Sequence, residues 1–282
     1  LHDALPISEK PESSGNSKNK YQDDRIWKPE LDKTGNGYAV VRFLPASTGE
    51  EMPWQRVWSH AFQDKGGWYI ENSLTTLNQK DPVSEENTRL WNTGVDSDKE
   101  IARKRKRKLS YYSNIFVVSD PKHPENEGKV FIFKFGKKIF DKITEAMQPA
   151  FDDETPINPF DFWKGANFKL KIRKVDGYWN YDKSEFESVS QIKESDEDIK
   201  SIWSKQYPLN PFVDPSNFKT YDELKEKLNR VIMGQRNTET VENVDLPPQS
   251  TTSVPSSSDV KSEPASEDDD TLSYFSKLAD ED

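Results

Sequence analysis

Residues 99–118 read KEIARKRKRKLSYYSNIFVV, and no other stretch restricts the fold as much. Its first half carries Lys99, Arg103, Lys104, Arg105, Lys106, Arg107 and Lys108 against one acid, Glu100. Its second half reverses character. Tyr111 and Tyr112 lead into Ile115, Phe116, Val117 and Val118, an apolar, β-branched and aromatic run that predicts a strand. The chain must therefore set a dense cationic patch at the mouth of a strand that begins with two aromatic rings. Phosphates attract fixed positive charge, and unpaired bases stack on flat π surfaces. Both are offered within a few residues, which is the composition of a single-strand nucleic-acid groove. A basic run alone fits a solvated surface, a disordered arm or a localisation signal equally well. The adjoining strand aromatics separate it from an address signal, which has no need of them.

Composition sets the limits around this stretch. The chain has 282 residues, room for one large or two small domains. Hydrophobic and charged residues each make up 32%, so part of the chain is expected to stay outside any core. The folded part is then expected to hold nearly all of the 8 Trp, 10 Tyr and 15 Phe. With 0 Cys, disulfides, thiolate metal sites and cysteine nucleophiles are excluded. No apolar run reaches the length of a membrane-spanning helix, and the first residues lack the basic flank and apolar core of a secretory signal. The net charge of -10 is unevenly placed. Residues 239–282 hold 12 acids and 2 lysines, so the preceding 238 residues balance to zero. An acidic tail beside a body with a basic face is the expected arrangement.

Taken in order, residues 1–24 are polar and predict a disordered segment. A folded core follows over 25–235, and 236–282 is a Pro-, Ser- and acid-rich disordered tail with one apolar island, Leu272 to Leu278. In the core, Gly35-Asn36-Gly37 is a turn rather than a phosphate loop, since the lysine and helix of a P-loop are missing. Strands are predicted over 38–44, 54–62, 68–70, 130–135 and 167–175, the second and third as a hairpin about Gly66-Gly67. Residues 81–91 predict a short helix, and 137–147, 194–207 and 219–233 amphipathic ones. Within 167–175, Phe168, Leu170 and Ile172 share one face while Lys169, Lys171 and Arg173 share the other. Gly177 turns into a second aromatic cluster, Tyr178 to Tyr181. The fold class is mainly β with α. A five-stranded Greek-key barrel of the OB type with insertions fits this order and binds oligonucleotides across its strands.

An enzyme acting on nucleic acid is the rival class. It needs converging carboxylates or a Ser/His/Asp set. The 3 His are His2, His60 and His123, and Asp152-Asp153-Glu154 and Asp196-Glu197-Asp198 are consecutive acids that point apart in any regular structure. A third reading is an RNA-binding module built on 103–108.

GNGYAVVRFLP (35–45), GGWYIE (66–71), KRKLSYYSNIFVVSDP (106–121), PENEGKVFIFKFGKKIFDKI (124–143) and GANFKLKIRKV (165–175) resemble the single-stranded DNA-binding proteins of T-even-type bacteriophages, the gene 32 protein family. The resemblance implies an OB-type core with a flap, no catalysis, and the coating of single-stranded DNA in phage replication, recombination and repair, in the cytoplasm of the infected bacterium. Family groove residues fall on Lys106, Arg107, Lys108, Tyr111, Tyr112, Tyr178 and Tyr181, with Phe133 where the family has a tyrosine. Arg105, Lys134, Lys137, Lys138, Lys171 and Arg173, on the basic stretches beside them, complete the candidate DNA-binding set. The family's zinc site uses one His and three Cys. His60 is retained, but the cysteine positions fall on Ser73, Asp81 and Ser84, so neither zinc nor any other cofactor is expected. Trp54, Trp58, Trp68 and Trp91 are expected to hold the flap by packing instead. The family's basic N-terminal arm is not matched in residues 1–24, so self-association on DNA is expected to be weak. Replication and recombination proteins are the expected partners of the acidic tail, and no membrane is.

Overall fold

The longest strand organises the structure, a computed structural model that describes residues 23–175 and 177–234. This strand, β5 (Lys108–Ser119), follows β1 (Ile26–Trp27), β2 (Gly37–Phe43), β3 (Trp54–Asp64) and β4 (Gly67–Asn72). Along one edge it pairs first with β3 and then with β2, and along the other with β6 (Val130–Phe135), all antiparallel. β2 also pairs with β7 (Phe168–Val175), β7 with β8 (Tyr178–Asn180) and β9 (Glu185–Phe186), and β1 lies parallel to β6. The fold is a mainly β sheet with helices attached, as expected.

Alternation along these strands builds the main core. Val41, Phe43, Tyr111, Ile115, Val117, Phe133, Phe135, Phe168, Leu170 and Ile172 point into one cluster. It is closed by Ile139 and Ile143 from α3 (Lys137–Met147). Burying each such side chain contributes roughly 1.5–3 kcal/mol.

The β3–β4 hairpin projects from this sheet as a flap. Its core joins Phe62, Tyr69, Leu74 and Val83 to Leu224, Leu228 and Val231 of α5 (Tyr221–Met233). Val83 belongs to α1 (Pro82–Asn92), which runs into α2 (Asp96–Arg105). The hairpin tip needs glycine, because the Gly66 N–H donates to Val231 O at 2.7 Å and a Cβ there would collide with the Arg230 carbonyl. Of the four tryptophans expected to hold the flap, none joins this core, although Trp91 packs with Leu90 and Ala102 where α1 meets α2. Trp54 packs against Phe140 and Phe160 of the main core, Trp58 lies beneath the Arg107 guanidinium, and Trp91 lies beneath Arg103.

The expected helices appear at 82–92, 137–147, 196–204 (α4) and 221–233. The basic run is split, which the sequence did not predict. Arg103 to Arg105 end α2, where cations complement the helix dipole, and Lys108 opens β5. The expected disordered N-terminal segment lies outside the described residues except Asp23 and Asp24, which turn into β1. The tail and its apolar island lie outside them entirely.

Candidate nucleic-acid interface

Because side chains alternate, the face of β5 opposite the main core carries Lys108, Ser110, Tyr112 and Asn114. Registered beside Tyr112 are Gln55 on β3 and Lys134 on β6. Lys134 Nζ lies 5.5 Å from the Tyr112 ring centre. Lys108 and Lys134 are exposed, and Lys138 extends the patch at the start of α3. Among the described residues these three lysines have no carboxylate within ion-pair distance. At about 3.3 Å per residue, Lys108 and Tyr112 stand roughly 13 Å apart along the strand. Lys106 and Arg107, half-buried, link α2 to this strand, with the Arg107 guanidinium 4.2 Å from the Trp58 ring centre.

The aromatic residues are placed differently from the expectation. Tyr111 and Phe133 face the main core. Tyr111 stacks on Phe140 at 3.9 Å and on Phe135 at 5.7 Å, while Phe133 meets Trp27 edge-on at 5.2 Å. Tyr112 faces the cationic side but is 8% exposed, because Phe212 stacks on it at 4.2 Å. All three expected stacking platforms are thus covered by protein rings, since an aromatic strand residue next to apolar neighbours buries its area there. Tyr181 is half-buried against the main core, and burial pushes its phenol up. Tyr178, at 79%, is the expected aromatic that does lie open.

Several expected phosphate contacts are also engaged. Arg105 is buried, pairs with Asp64 at 2.5 Å and lies over the Phe62 ring. The cationic face of β7 is matched acid by acid from 182–187. Lys169 pairs with Glu187 at 3.0 Å, Lys171 with Glu185 at 2.7 Å and Arg173 with Asp182 at 2.5 Å. Lys137 pairs with Asp141 one helical turn on. In the structure the nearest anions to Arg105, Lys171 and Arg173 are therefore the protein's own carboxylates.

The residues covering Tyr112 were not predicted. Residues 205–220 link α4 to α5 and cross the sheet at this point. Asn114 holds Tyr207 from both sides, donating to its carbonyl at 2.8 Å and accepting from its N–H at 2.9 Å. Glu50 accepts from the N–H groups of Leu209 and Asn210, and Gln55 donates to Asn210 at 3.1 Å. Leu209 is buried with Val57, Tyr112 and Ile132. The available signal was the density of apolar residues in YPLNPFV (207–213), too high for a solvent loop.

The positions implied for zinc do come together. His60, Ser73, Asp81 and Ser84 are all buried. His60 Nδ1 donates to the Arg105 carbonyl at 2.8 Å, and Nε2 lies 3.3 Å from Asp81 Oδ1 with poor hydrogen-bond aim. Asp81 caps α1, accepting from Val83 and Ser84 N–H at 3.0 Å, and accepts from Leu74 N–H at 3.1 Å. Burial pushes this carboxyl up, but the contacts with His60 and Ser84 outweigh it and hold the group at about 2. One imidazole, one carboxylate already spent on a helix cap and two hydroxyls do not fit a closed zinc site. Among the described residues no group of three or more His, Cys, Asp or Glu is placed to hold a metal.

Residues 35–232 match the family described as gp32 DNA binding protein like. The chain belongs to that family. Two relatives are named single-stranded DNA-binding protein. The one from Enterobacteria phage T2 is 40% identical over 218 residues, 75% of this chain and 71% of that protein. The one from Enterobacteria phage T4 is 39% identical over 226 residues, 78% of this chain and 74% of that protein. The gp32-like family is one of DNA binders, not of enzymes.

Proposed function

We propose that this chain binds single-stranded DNA without catalysis and coats it during phage replication, recombination and repair in the infected bacterium. The carrying observation is the face of β5 and β6 where Lys108 and Lys134 flank Tyr112 in a gp32-like chain. Exposed cations on one face attract the phosphates of a strand lying along it, and the Tyr112–Phe212 ring pair on that face is of the kind on which bases stack with little preference. Tyr178 supplies a second such surface at the far end of the sheet. We read β2, β3, β5, β6 and β7 as an OB-type barrel, because their inward faces share one core. The flap is proposed to fold without zinc, with the His60–Asp81 contact and the Asp81 cap in the metal's place. Self-association on DNA is proposed to be weak, and partner recruitment to fall to the acidic tail.

The test is a titration of intrinsic fluorescence with oligo-dT at several salt concentrations, beside duplex and RNA at matched salt. Each phosphate neutralised on a single strand contributes a slope of about −0.7 in log K against log salt. A steep slope with preference for single-stranded DNA is expected. Equal affinity for duplex, or no dependence on salt, would refute the reading, and tighter binding to RNA would move the function to the RNA class.

A further inference from the structure

The segment over Tyr112 is fastened unevenly. Residues 207–210 are held to the sheet by Asn114, Glu50 and Gln55 and by the buried Leu209. Among the described residues, 211–213 make no hydrogen bond to the sheet, and Phe212 and Val213 touch it only by packing against the cluster around Leu209. Among the described residues their hydrogen bonds stay within the segment: Phe212 N–H to Leu209 O, Val213 N–H to Asn210 O, and Asn217 to Pro211 O. Phe212 is half-buried, whereas the neighbouring anchor Leu209 is 1% exposed. Its ring lies flat on Tyr112, 4.2 Å away with 20° between the planes. That is how a base stacks on an aromatic platform. Two exposed cations share this face: Lys134, 5.5 Å from the Tyr112 ring centre, and Lys108, about 13 Å along β5.

We propose that Phe212 is an intramolecular plug: it occupies a base-stacking subsite on Tyr112 in the free protein and is displaced by an unpaired nucleobase when DNA binds. This deepens the single-strand reading above and rests on it. Withdrawing Phe212 breaks no hydrogen bond to the sheet, because the segment stays fastened at 207–210. A base stacked on tyrosine replaces the lost ring contact, and the attached phosphates gain the two lysines. Duplex DNA, whose bases are already stacked on one another, has none free to exchange with Phe212. The plug therefore favours single strands without reading sequence.

The experiment compares wild-type, Phe212→Ala, Tyr112→Leu and the double variant of the full chain in titrations with oligo-dT at one salt concentration. A ring stack contributes roughly two- to tenfold in an equilibrium constant. Phe212→Ala is expected to tighten binding by that factor, and the gain should vanish in the Tyr112→Leu background. Unchanged or weaker binding by a Phe212→Ala variant with a native circular dichroism spectrum overturns the plug, as does a gain that survives without Tyr112. Photocrosslinking the wild-type protein to oligonucleotides bearing 5-iodouracil serves if the variant does not fold. Crosslinks at Tyr112 support exchange, and crosslinks confined to other residues overturn it. Wild-type protein that fails to bind oligo-dT refutes the single-strand reading itself, whereas binding that is indifferent to Phe212 refutes only the plug.

Discussion

At the scale of single residues, Asp81 carries more than its position suggests. It caps α1, orders the turn at Leu74 and faces His60 inside the flap. Its folded pKa of about 2 lies below the ordinary value of 3.8. The unfolded chain therefore takes up the proton first as pH falls. The resulting stability is complete above about pH 4 and is lost as pH falls toward 2. A shift of this size corresponds to about 2 kcal/mol. Asp81→Asn is expected to destabilise the flap by roughly 1–3 kcal/mol at pH 7, since it weakens a cap and leaves a buried imidazole without its carboxylate. The difference between the two proteins should shrink between pH 4 and 2. Tryptophan-monitored melts at pH 7, 4 and 3 measure it, and a constant difference across that range would refute the assignment. The same melts with and without chelator address zinc. Unchanged stability in chelator is expected, and a chelator-dependent loss together with stoichiometric zinc would show that metal holds the flap.

At the scale of elements, charge on a strand face has two fates. The β7 cations Lys169, Lys171 and Arg173 are matched by Glu187, Glu185 and Asp182, while Lys108 and Lys134 on β5 and β6 have no such match among the described residues. Lys134→Ala and Lys108→Ala are accordingly expected to lower the salt slope by about 0.7 each and to weaken oligo-dT binding. Lys171→Ala and Arg173→Ala should change it little, because DNA must first displace their carboxylates. Equal losses from both sets would show that the ion pairs on β7 open freely.

Strands and helices were legible because their periods are strong. The alternation of 168–172 and the helical spacing of Ile139, Phe140 and Ile143 each name a face without tertiary knowledge. The gathering of His60 with Ser73, Asp81 and Ser84 was legible through the family resemblance. Which aromatic faces lie open was not legible, because period 2 assigns Tyr111 and Tyr112 to opposite faces without saying what covers either. Tyr111 is covered by Phe140 and Tyr112 by Phe212, residues 29 and 100 positions away. Ion pairing was hidden for the same reason. The acids opposite β7 arrive from a separate segment whose register on β7 is set by two short pairings, Phe168 with Phe186 and Lys169 with Glu185.

At the scale of the whole molecule, the charge division bears on the proposed DNA-binding face. The 44 residues from 239 to 282 carry all of the net -10, and the rest of the chain balances. The described chain ends at Gly234, beyond α5, which packs on the flap beside β3. The acidic segment is thus tied to the same body as Lys108 and Lys134. A tethered segment acts at an effective concentration in the mM range. If its affinity for the groove is only of that order, it occupies about half of the free protein and weakens DNA binding about twofold, and by more if it binds better. Removing residues 239–282 is therefore expected to tighten oligo-dT binding at low salt, with the gain fading as the Debye length shortens from about 30 Å at 0.01 M to about 8 Å at 0.15 M. Under the proposed recruiting role of the tail, with Leu272, Tyr274, Phe275 and Leu278 among acids as its apolar motif, the same truncation is expected to abolish any binding of replication and recombination proteins. Titrations of the full and truncated chains at both salt concentrations separate competition from mere solubilisation. Affinities that coincide at 0.01 M would mean that the acidic segment never enters the groove.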